Sequence, residues 1–381
     1  MIYDYIDGVL DRLTAEGNFR TLPEGIEPGM ADFTTNDYLG IAQRQDFAEE
    51  FMSTAFINFR ESFTNHLTPF TSSASRLLCG HPSEHILLEQ RLSELYGGRA
   101  ALLFNSGYHA NTGLIAALGS LRSTLIVADK LVHASIIDGM KLADAPSRRF
   151  AHNNFDHLAR ILEKESKEFD NLIVVVESVY SMDGDRTDLD ALVALKRRYP
   201  GMLLYVDEAH AVGVCGHGGL GLCYSHPDFE DIDIVIGTMG KALASTGAYC
   251  ICSERMRQFA VNRCRSLIFS TALPPVSCAW SRFVIDKVIG MDTERQRLGR
   301  ISAAVSAAAG LNEPSHIVPV IAGSSAKAME WSAKLADRGL KVLPIRTPTV
   351  PPGTERLRIS LSANVSDQSV NNLIQALGSL R

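Results

Sequence analysis

MLLYVDEAH (Met202–His210) decides the fold class of this chain. It is a short apolar run that ends in an acidic residue and passes directly into polar residues. An apolar run without alternation is typical of a strand covered on both faces. Five further runs have this character: ALLF (Ala101–Phe104), TLIVAD (Thr124–Asp129), NLIVVVE (Asn171–Glu177), IDIVIGT (Ile232–Thr238) and GAYCICS (Gly247–Ser253). Segments of helical period separate them, so we predict an α/β fold with a doubly wound, mostly parallel sheet.

The two ends of the chain differ from this middle part. The start, MIYDYIDGVLDRLTAEG, alternates apolar and acidic residues and predicts an amphipathic helix rather than a signal peptide. Beyond about Pro275, a long helical stretch, the run KVLPI, the strand RLRISL (Arg356–Leu361) and a last helix indicate a smaller α+β domain. We therefore predict an N-terminal helix and arm (1–45), a large domain (46–272) and a small C-terminal domain (273–381).

Composition excludes several classes of protein. The 381 residues include 37 Lys+Arg and 43 Asp+Glu, a net charge of −6, without the basic stripe of a nucleic-acid-binding protein. No apolar run approaches the ~18–20 residues of a membrane span. The seven cysteines show no framework spacing. We interpret their one close pair, Cys250 and Cys252, as lying on opposite faces of a strand rather than as a metal site. These features favour a reduced, cytoplasmic protein without a metal or a membrane partner.

Two motifs suggest nucleotide binding but lack its context. GHGGLG (Gly216–Gly221) satisfies G-x-G-x-x-G, yet no convincing helix follows it, so we interpret it as a flexible glycine loop. DEAH (Asp207–His210) spells the magnesium box of helicases, but the chain has no phosphate loop of the form G-x-x-x-x-G-K-[ST]. Neither motif therefore indicates a nucleotide site.

Polar residues follow the carboxyl ends of the predicted strands, where doubly wound sheets bind ligands. Asp207 ends one strand, His210 lies three residues on, and Lys241 follows another. Alone, each has an ordinary explanation as a helix cap, a loop histidine or an exposed lysine. FNSGY (Phe104–Tyr108) runs into a helix whose N-terminus can cradle a phosphate, and Thr238 adds a hydroxyl. A carboxylate, a desolvated lysine and a phosphate cradle together are what pyridoxal phosphate (PLP) requires.

With these residues, and from TNDYLG (Thr35–Gly40) to PTVPPGTERLRISLSA (Pro348–Ala363), the sequence resembles the α-oxoamine synthases. These fold-type-I PLP enzymes condense an amino acid with an acyl thioester and release CO2. The likeness is greatest to the members that make 8-amino-7-oxononanoate for biotin from L-alanine and a pimeloyl thioester, on coenzyme A or acyl carrier protein. It implies a PLP-dependent acyltransferase and a homodimer. The alternatives are glycine C-acetyltransferase, 5-aminolevulinate synthase, serine palmitoyltransferase and a non-catalytic PLP-fold binding protein.

The resemblance also implies a role for each matching residue. Lys241 would hold PLP as a Schiff base and move the Cα proton, and His133 would stack on the pyridine ring and face the substrate. Asp207 would pair with the ring nitrogen, and His210 would contact the ring hydroxyl oxygen. Further cofactor contacts would come from Gly107, Tyr108, Ser181 and Thr238, and substrate contacts from Arg20, His133, Arg346 and Thr349.

One loop departs from the family pattern. The family often carries glycines before its R-x-x-x-G segment, where this chain has TSSAS (Thr71–Ser75) and then Arg76. Fewer glycines restrict positive φ angles, so we expect a different path for this loop. The aminolevulinate synthases tend to carry threonine at the position of Ser75. The smaller serine leaves room for the methyl group of alanine, a preference worth only ~1–3 kcal/mol.

Overall fold

A computed structural model of the protein describes residues 1–22, 25, 29–56, 70–78 and 83–380. Within these residues the strands are β1 (Ala31–Asp32), β2 (Ala100–Phe104), β3 (Thr124–Asp129), β4 (Ser147–Phe150), β5 (Asn171–Glu177), β6 (Met202–Asp207), β7 (Ile234–Thr238), β8 (Ala248–Cys252), β9 (Ile317–Ile321), β10 (Leu340–Lys341), β11 (Leu343–Ile345) and β12 (Arg356–Ser360). The α-helices are α1 (Ile2–Ala15), α2 (Gln45–Glu50), α3 (Ser83–Leu95), α4 (Gly107–Gly119), α5 (Ala134–Leu142), α6 (Phe155–Glu165), α7 (Leu189–Arg198), α8 (Leu222–Ser225), α9 (Glu254–Arg263), α10 (Arg265–Ile268), α11 (Pro275–Ile289), α12 (Asp292–Ala308), α13 (Ser325–Ala336) and α14 (Asp367–Gly378).

The main sheet has seven strands in the order β2-β8-β7-β6-β5-β3-β4. Strand β8 is antiparallel to its neighbours β2 and β7, and the other pairs are parallel. The predicted mostly parallel α/β architecture is therefore confirmed. Its register sets Asp207 of β6 opposite Ile236 of β7, so the carboxyl ends of these two strands lie side by side.

Apolar side chains on both faces of this sheet form its core, as the unbroken apolar runs require. On one face, Leu114 and Ile115 of α4 and Ile136 of α5 pack against a layer that includes Ile126 and Ile173 of the sheet. All five are at most 2% exposed. Each such side chain contributes ~1.5–3 kcal/mol of transfer free energy when it is buried. This packing fixes α4 and α5, whose N-termini lie beside the candidate site.

The prediction for the cysteine pair is wrong. Cys250 and Cys252 lie in the same core cluster, together with Cys264. Side chains two positions apart on a strand point to the same face, and for this reason the two thiols are neighbours. Among the residues that the structure describes, no group of three or more His, Cys, Asp or Glu side chains could hold a metal ion.

The chain divides into two compact units. Unit 1 consists of residues 1–38, 181–185 and 293–381, and unit 2 of residues 39–180 and 186–292. In unit 1, β1 pairs in parallel with β10 and so joins the N-terminal arm to the C-terminal part, while β11, β12 and β9 form an antiparallel sheet. The predicted boundaries at residues 45 and 272 stay predictions. None of the helices in the described ranges has the length and apolar character of a membrane span.

Candidate active site

The carboxyl ends of β6 and β7 carry the central residues of the candidate site in unit 2. Asp207 is the last residue of β6, and Lys241 follows the end of β7 by three positions. Lys241 Nζ lies 2.7 Å from His210 Nε2, within hydrogen-bonding distance. Thr238, at the end of β7, donates its hydroxyl to the carbonyl of Gly247 at 3.2 Å. The neighbouring strand ends thus bring a lysine and a histidine together beside a carboxylate.

The Asp207 carboxylate is 5% exposed and held at both oxygens. Its Oδ1 accepts the backbone N–H of Ala209 at 2.9 Å, and its Oδ2 accepts Asn111 Nδ2 at 2.7 Å. The amide of Asn111 also donates to Ser135 Oγ at 2.9 Å and accepts the hydroxyl of Tyr205 at 2.7 Å. Asn111 is absent from the residues predicted from the sequence. Its only signal there is an amide in the first turns of helix α4, ahead of the apolar run LIAAL.

His133 caps the N-terminus of α5 and continues this network. Its Nδ1 accepts the backbone N–H of Ser135 at 3.2 Å and lies 2.7 Å from Ser135 Oγ. Burial lowers the pKa of His133, the charge of Lys241 acts in the same direction, and Asp207 and Asp138 oppose them. The ring is therefore neutral at pH 7. Because Nδ1 accepts a hydrogen bond, we place the proton of the neutral ring on Nε2.

The predicted phosphate cradle is a helix N-terminus beside open space. Ser106 caps α4 by accepting the backbone N–H of His109 at 3.2 Å, and the helix begins at Gly107. A Cβ added to Gly107 would meet no atom within 4 Å. The first N–H groups of a helix point outward with a partial positive charge, which suits a phosphate. Tyr108 is 47% exposed and donates its hydroxyl to Asp138 Oδ2 at 2.7 Å.

The other predicted residues lie in unit 1. Arg20 donates from Nη2 to Thr349 Oγ1 at 2.8 Å, so the structure brings these two together. The guanidinium of Arg346 donates to the carbonyl of Gly17, which places it beside the N-terminal arm. Ser181 is 7% exposed. The contacts of Arg20 and Arg346 belong to unit 1.

The residues of unit 2 fit the cofactor that the sequence suggests. A buried carboxylate suits a protonated ring nitrogen, Lys241 offers an amine for a Schiff base, and the open N-terminus of α4 suits a phosphate. A model of the aminotransferase class I and II family matches residues 28–377. The chain belongs to this family.

Full-length relatives and solved structures agree with this assignment. The chain is 43% identical to an 8-amino-7-oxononanoate synthase of Haemophilus ducreyi (98% of this chain, 100% of the relative) and 42% identical to one of Chlorobaculum parvum (100% and 99%). Among solved structures, a serine palmitoyltransferase of Sphingomonas wittichii matches with a TM-score of 0.87 at 28% identity (99% of this chain, 96% of that chain). An 8-amino-7-oxononanoate synthase of Francisella tularensis matches with a TM-score of 0.74 at 25% identity (92% and 97%).

Proposed function

We propose that this protein catalyses the PLP-dependent condensation of L-alanine with a pimeloyl thioester, giving 8-amino-7-oxononanoate, CO2 and free thiol in biotin synthesis. The observation that carries the proposal is the pairing of Lys241 Nζ with His210 at 2.7 Å beside the buried carboxylate of Asp207. Relatives that are 42–43% identical over nearly their whole length bear the name of this synthase. A non-catalytic binding protein would not need the lysine, the carboxylate and both histidines together.

The cofactor would be held at three places in unit 2. Asp207 would pair with its ring nitrogen, the N-terminus of α4 at Gly107 and Tyr108 would hold its phosphate with Thr238, and Lys241 would bind it covalently. Bound PLP supplies an electron sink for the charge left on the amino acid Cα. The neutral ring of His133, fixed through Ser135, would stack flat against it and exclude water.

The chain's own side chains would carry out the proton transfers. The free amine of Lys241 would remove the Cα proton of alanine at Nζ and later return a proton to the product. His210 Nε2, 2.7 Å away, would orient that amine through a hydrogen bond. Ser181 would also contact the cofactor. Overall, a carbon–carbon bond forms at the thioester carbonyl, the thiol leaves, and the alanine carboxylate leaves as CO2.

The substrate would be contacted by Arg20, His133, Arg346 and Thr349. Arg346 would bind the alanine carboxylate with two parallel N–H groups, a geometry that lysine cannot offer. Arg20, fixed by its 2.8 Å hydrogen bond to Thr349, would line the same substrate. Ser75, 9% exposed in unit 2 and bridged to Thr271, would leave room for the methyl group of alanine. The acyl carrier would be coenzyme A or acyl carrier protein.

The protein would act as a cytoplasmic homodimer. Helix α1 buries none of its residues within the chain, and Ile2, Tyr3 and Tyr5 are each at least 70% exposed. An amphipathic helix with an exposed apolar side is stabilised when a second copy covers it. Size-exclusion chromatography with light scattering measures this directly, and a monomer at micromolar concentration would contradict it.

Substrate choice tests the proposal. PLP-loaded protein is given L-alanine, glycine or L-serine with pimeloyl-, succinyl-, acetyl- or palmitoyl-coenzyme A, and thiol release is followed. We expect turnover with alanine and pimeloyl-coenzyme A. Preference for serine and palmitoyl-coenzyme A, or for glycine with a shorter chain, would replace the substrate assignment, and no release from any pair would support the non-catalytic alternative.

The role of Arg346 is tested in the same assay. Arg346→Lys should raise the KM for alanine roughly 10-fold or more, because one ammonium cannot form the two parallel bonds of a guanidinium. Arg338→Lys is the matched control in unit 1, since Arg338 bonds Ser379 Oγ at 3.0 Å. An unchanged KM in Arg346→Lys would remove Arg346 from the substrate site.

A further inference from the structure

The sequence contains two motifs, DEAH (Asp207–His210) and GHGGLG (Gly216–Gly221), that do not indicate a nucleotide site. In the structure, Glu208 of the first motif lies against Gly221 of the second. Glu208 is 0% exposed. Its Oε1 accepts the backbone N–H groups of Leu222 at 2.8 Å and Cys223 at 3.2 Å, and its Oε2 accepts that of Cys223 at 3.2 Å. Burial raises the pKa of Glu208 to about 7. A buried carboxyl group therefore holds the chain at the end of the glycine-rich stretch.

The glycines of this stretch make room for that carboxyl group. Gly221 has a φ of +98°, and a Cβ there would lie 2.0 Å from Glu208 Oε2. Gly216 has a φ of +77°, and its Cβ would lie 2.0 Å from the carbonyl oxygen of Gly221. Both positions combine a left-handed backbone with a close approach that only glycine allows. Their spacing thus serves Glu208 and the turn beside it, and the stretch is anchored rather than loose.

The other side of the stretch lies against the backbone that carries Lys241. The N–H of Gly213 donates to the carbonyl of Gly219 at 2.7 Å, which closes the loop. A Cβ on Gly213, whose φ is +86°, would lie 2.6 Å from the Cβ of Ala242, the residue after Lys241. The loop therefore supports the turn that presents Lys241 Nζ.

Glu208 also fixes the turn that presents His210. Its backbone N–H donates to the carbonyl of Ile236 in β7 at 2.8 Å, and its own carbonyl accepts the N–H of Ala211 at 2.8 Å. His210 lies between Glu208 and Ala211 in the sequence, and its Nε2 is 2.7 Å from Lys241 Nζ. The backbone of Glu208 thus holds the turn of His210, while its carboxyl group holds the segment that packs against Ala242.

We propose that Glu208 is a positioning residue for the proposed synthase: its buried carboxyl group clamps the segment Gly213–Cys223 against Ala242 and so sets the position of Lys241 Nζ relative to His210. The inference rests on the role proposed for Lys241 in binding PLP. The proposed reaction does not otherwise use this carboxyl group.

Three variants separate positioning from stability alone. Glu208→Leu removes both acceptor oxygens, and Glu208→Gln keeps one for Leu222 and Cys223. Gly213→Ala disturbs the contact with Ala242 and leaves the carboxyl group in place. Glu165→Gln is the matched control, because Glu165 is also a buried carboxylate, 3% exposed, but bonds Arg148 Nε at 3.1 Å at the end of α6.

The readouts are the pH midpoint of the visible absorbance of bound PLP, the kcat and KM for alanine, and the melting temperature. We expect Glu208→Leu and Gly213→Ala to shift the absorbance midpoint in the same direction and to lower kcat roughly 10- to 100-fold, with KM within about twofold, since small misplacements of a reacting group cost this much. Glu208→Gln should lie between them and the unaltered protein. Glu165→Gln should change only the melting temperature.

A lower melting temperature in Glu208→Leu and Gly213→Ala with an unchanged midpoint and kcat would overturn the proposal, since Glu208 would then be structural only. If Glu208→Leu does not fold, Gly213→Ala and Glu208→Gln still decide the question. Failure of the proposed function is distinguishable, because the unaltered protein would then release no thiol from alanine and pimeloyl-coenzyme A. The absorbance midpoint requires only that PLP binds Lys241.

Discussion

Tyr205→Phe should destabilise the unaltered protein but stabilise a variant in which Asn111 is replaced by leucine. In the unaltered protein Tyr205 donates its hydroxyl to Asn111 Oδ1 at 2.7 Å, and the same amide donates to Asp207 at 2.7 Å. Leucine has the same number and branching of side-chain heavy atoms as asparagine but no polar atom. It should therefore fill the site and leave the hydroxyl of Tyr205, which is 0% exposed, without this acceptor.

The magnitudes follow from the asymmetry of buried hydrogen bonds. Tyr205→Phe alone removes the hydroxyl that the buried Asn111 Oδ1 accepts and should lower the free energy of unfolding by ~1–3 kcal/mol. In the Asn111→Leu background, Tyr205→Phe removes a buried hydroxyl that has lost its acceptor at residue 111. There it should raise the free energy of unfolding by ~1–3 kcal/mol. The two substitutions should therefore be coupled by roughly 2–6 kcal/mol.

The assay is urea unfolding of the four proteins of this cycle, with PLP titration by visible absorbance as a second readout. Loss of the Asn111 bond to Asp207 should weaken PLP binding roughly 10- to 100-fold, because a hydrogen bond to a charged group contributes ~1.5–3 kcal/mol. Tyr205→Phe should restore stability to Asn111→Leu without restoring PLP affinity. If Tyr205→Phe destabilises both backgrounds equally, the buried network is not as described.

Two further outcomes follow from the structure. Burial lowers the pKa of His133, so its contribution to stability is complete above the unfolded value of about 6.5 and is lost as the pH falls through the folded value; urea unfolding should show the advantage over His133→Gln shrinking from pH 8 to pH 5, and a constant difference would contradict this. Gly237→Ala would place a Cβ 2.1 Å from Tyr249 Cζ and should lower the free energy of unfolding by ~1–3 kcal/mol; Gly240→Ala, with its nearest atom at 3.7 Å, is the control, and equal losses in both would show that close packing is not the cause.

The sequence predicts the strands with unbroken apolar runs well but misses the edge strands β4 and β9. Strands β3, β5 and β6 have the predicted bounds, because both of their faces are covered and the apolar runs are unbroken. Strand β4 (SRRF) lies at the edge of the main sheet with three of its four residues exposed, so the apolar signal is missing. Strand β9 contains Pro319, which its place at the edge of the three-stranded sheet accommodates.

The candidate site shows the same division between local and distant information. Asp207 and Lys241 could be predicted because each lies at or shortly after the end of a recognisable strand. Asn111 could not, since its bond to Asp207 joins residues 96 positions apart and depends on how α4 packs on the sheet. The purpose of Gly221 likewise becomes visible only when the folded chain brings it against Glu208.

The central claim is that this protein joins alanine to an acyl thioester with loss of the alanine carboxylate. The most direct measurement supplies L-alanine labelled with ¹³C at its carboxyl group and pimeloyl-coenzyme A, and follows labelled CO2 and free thiol together. We predict equal amounts of both, and neither from Lys241→Ala. Thiol release without labelled CO2 would indicate simple thioester hydrolysis and would contradict the account.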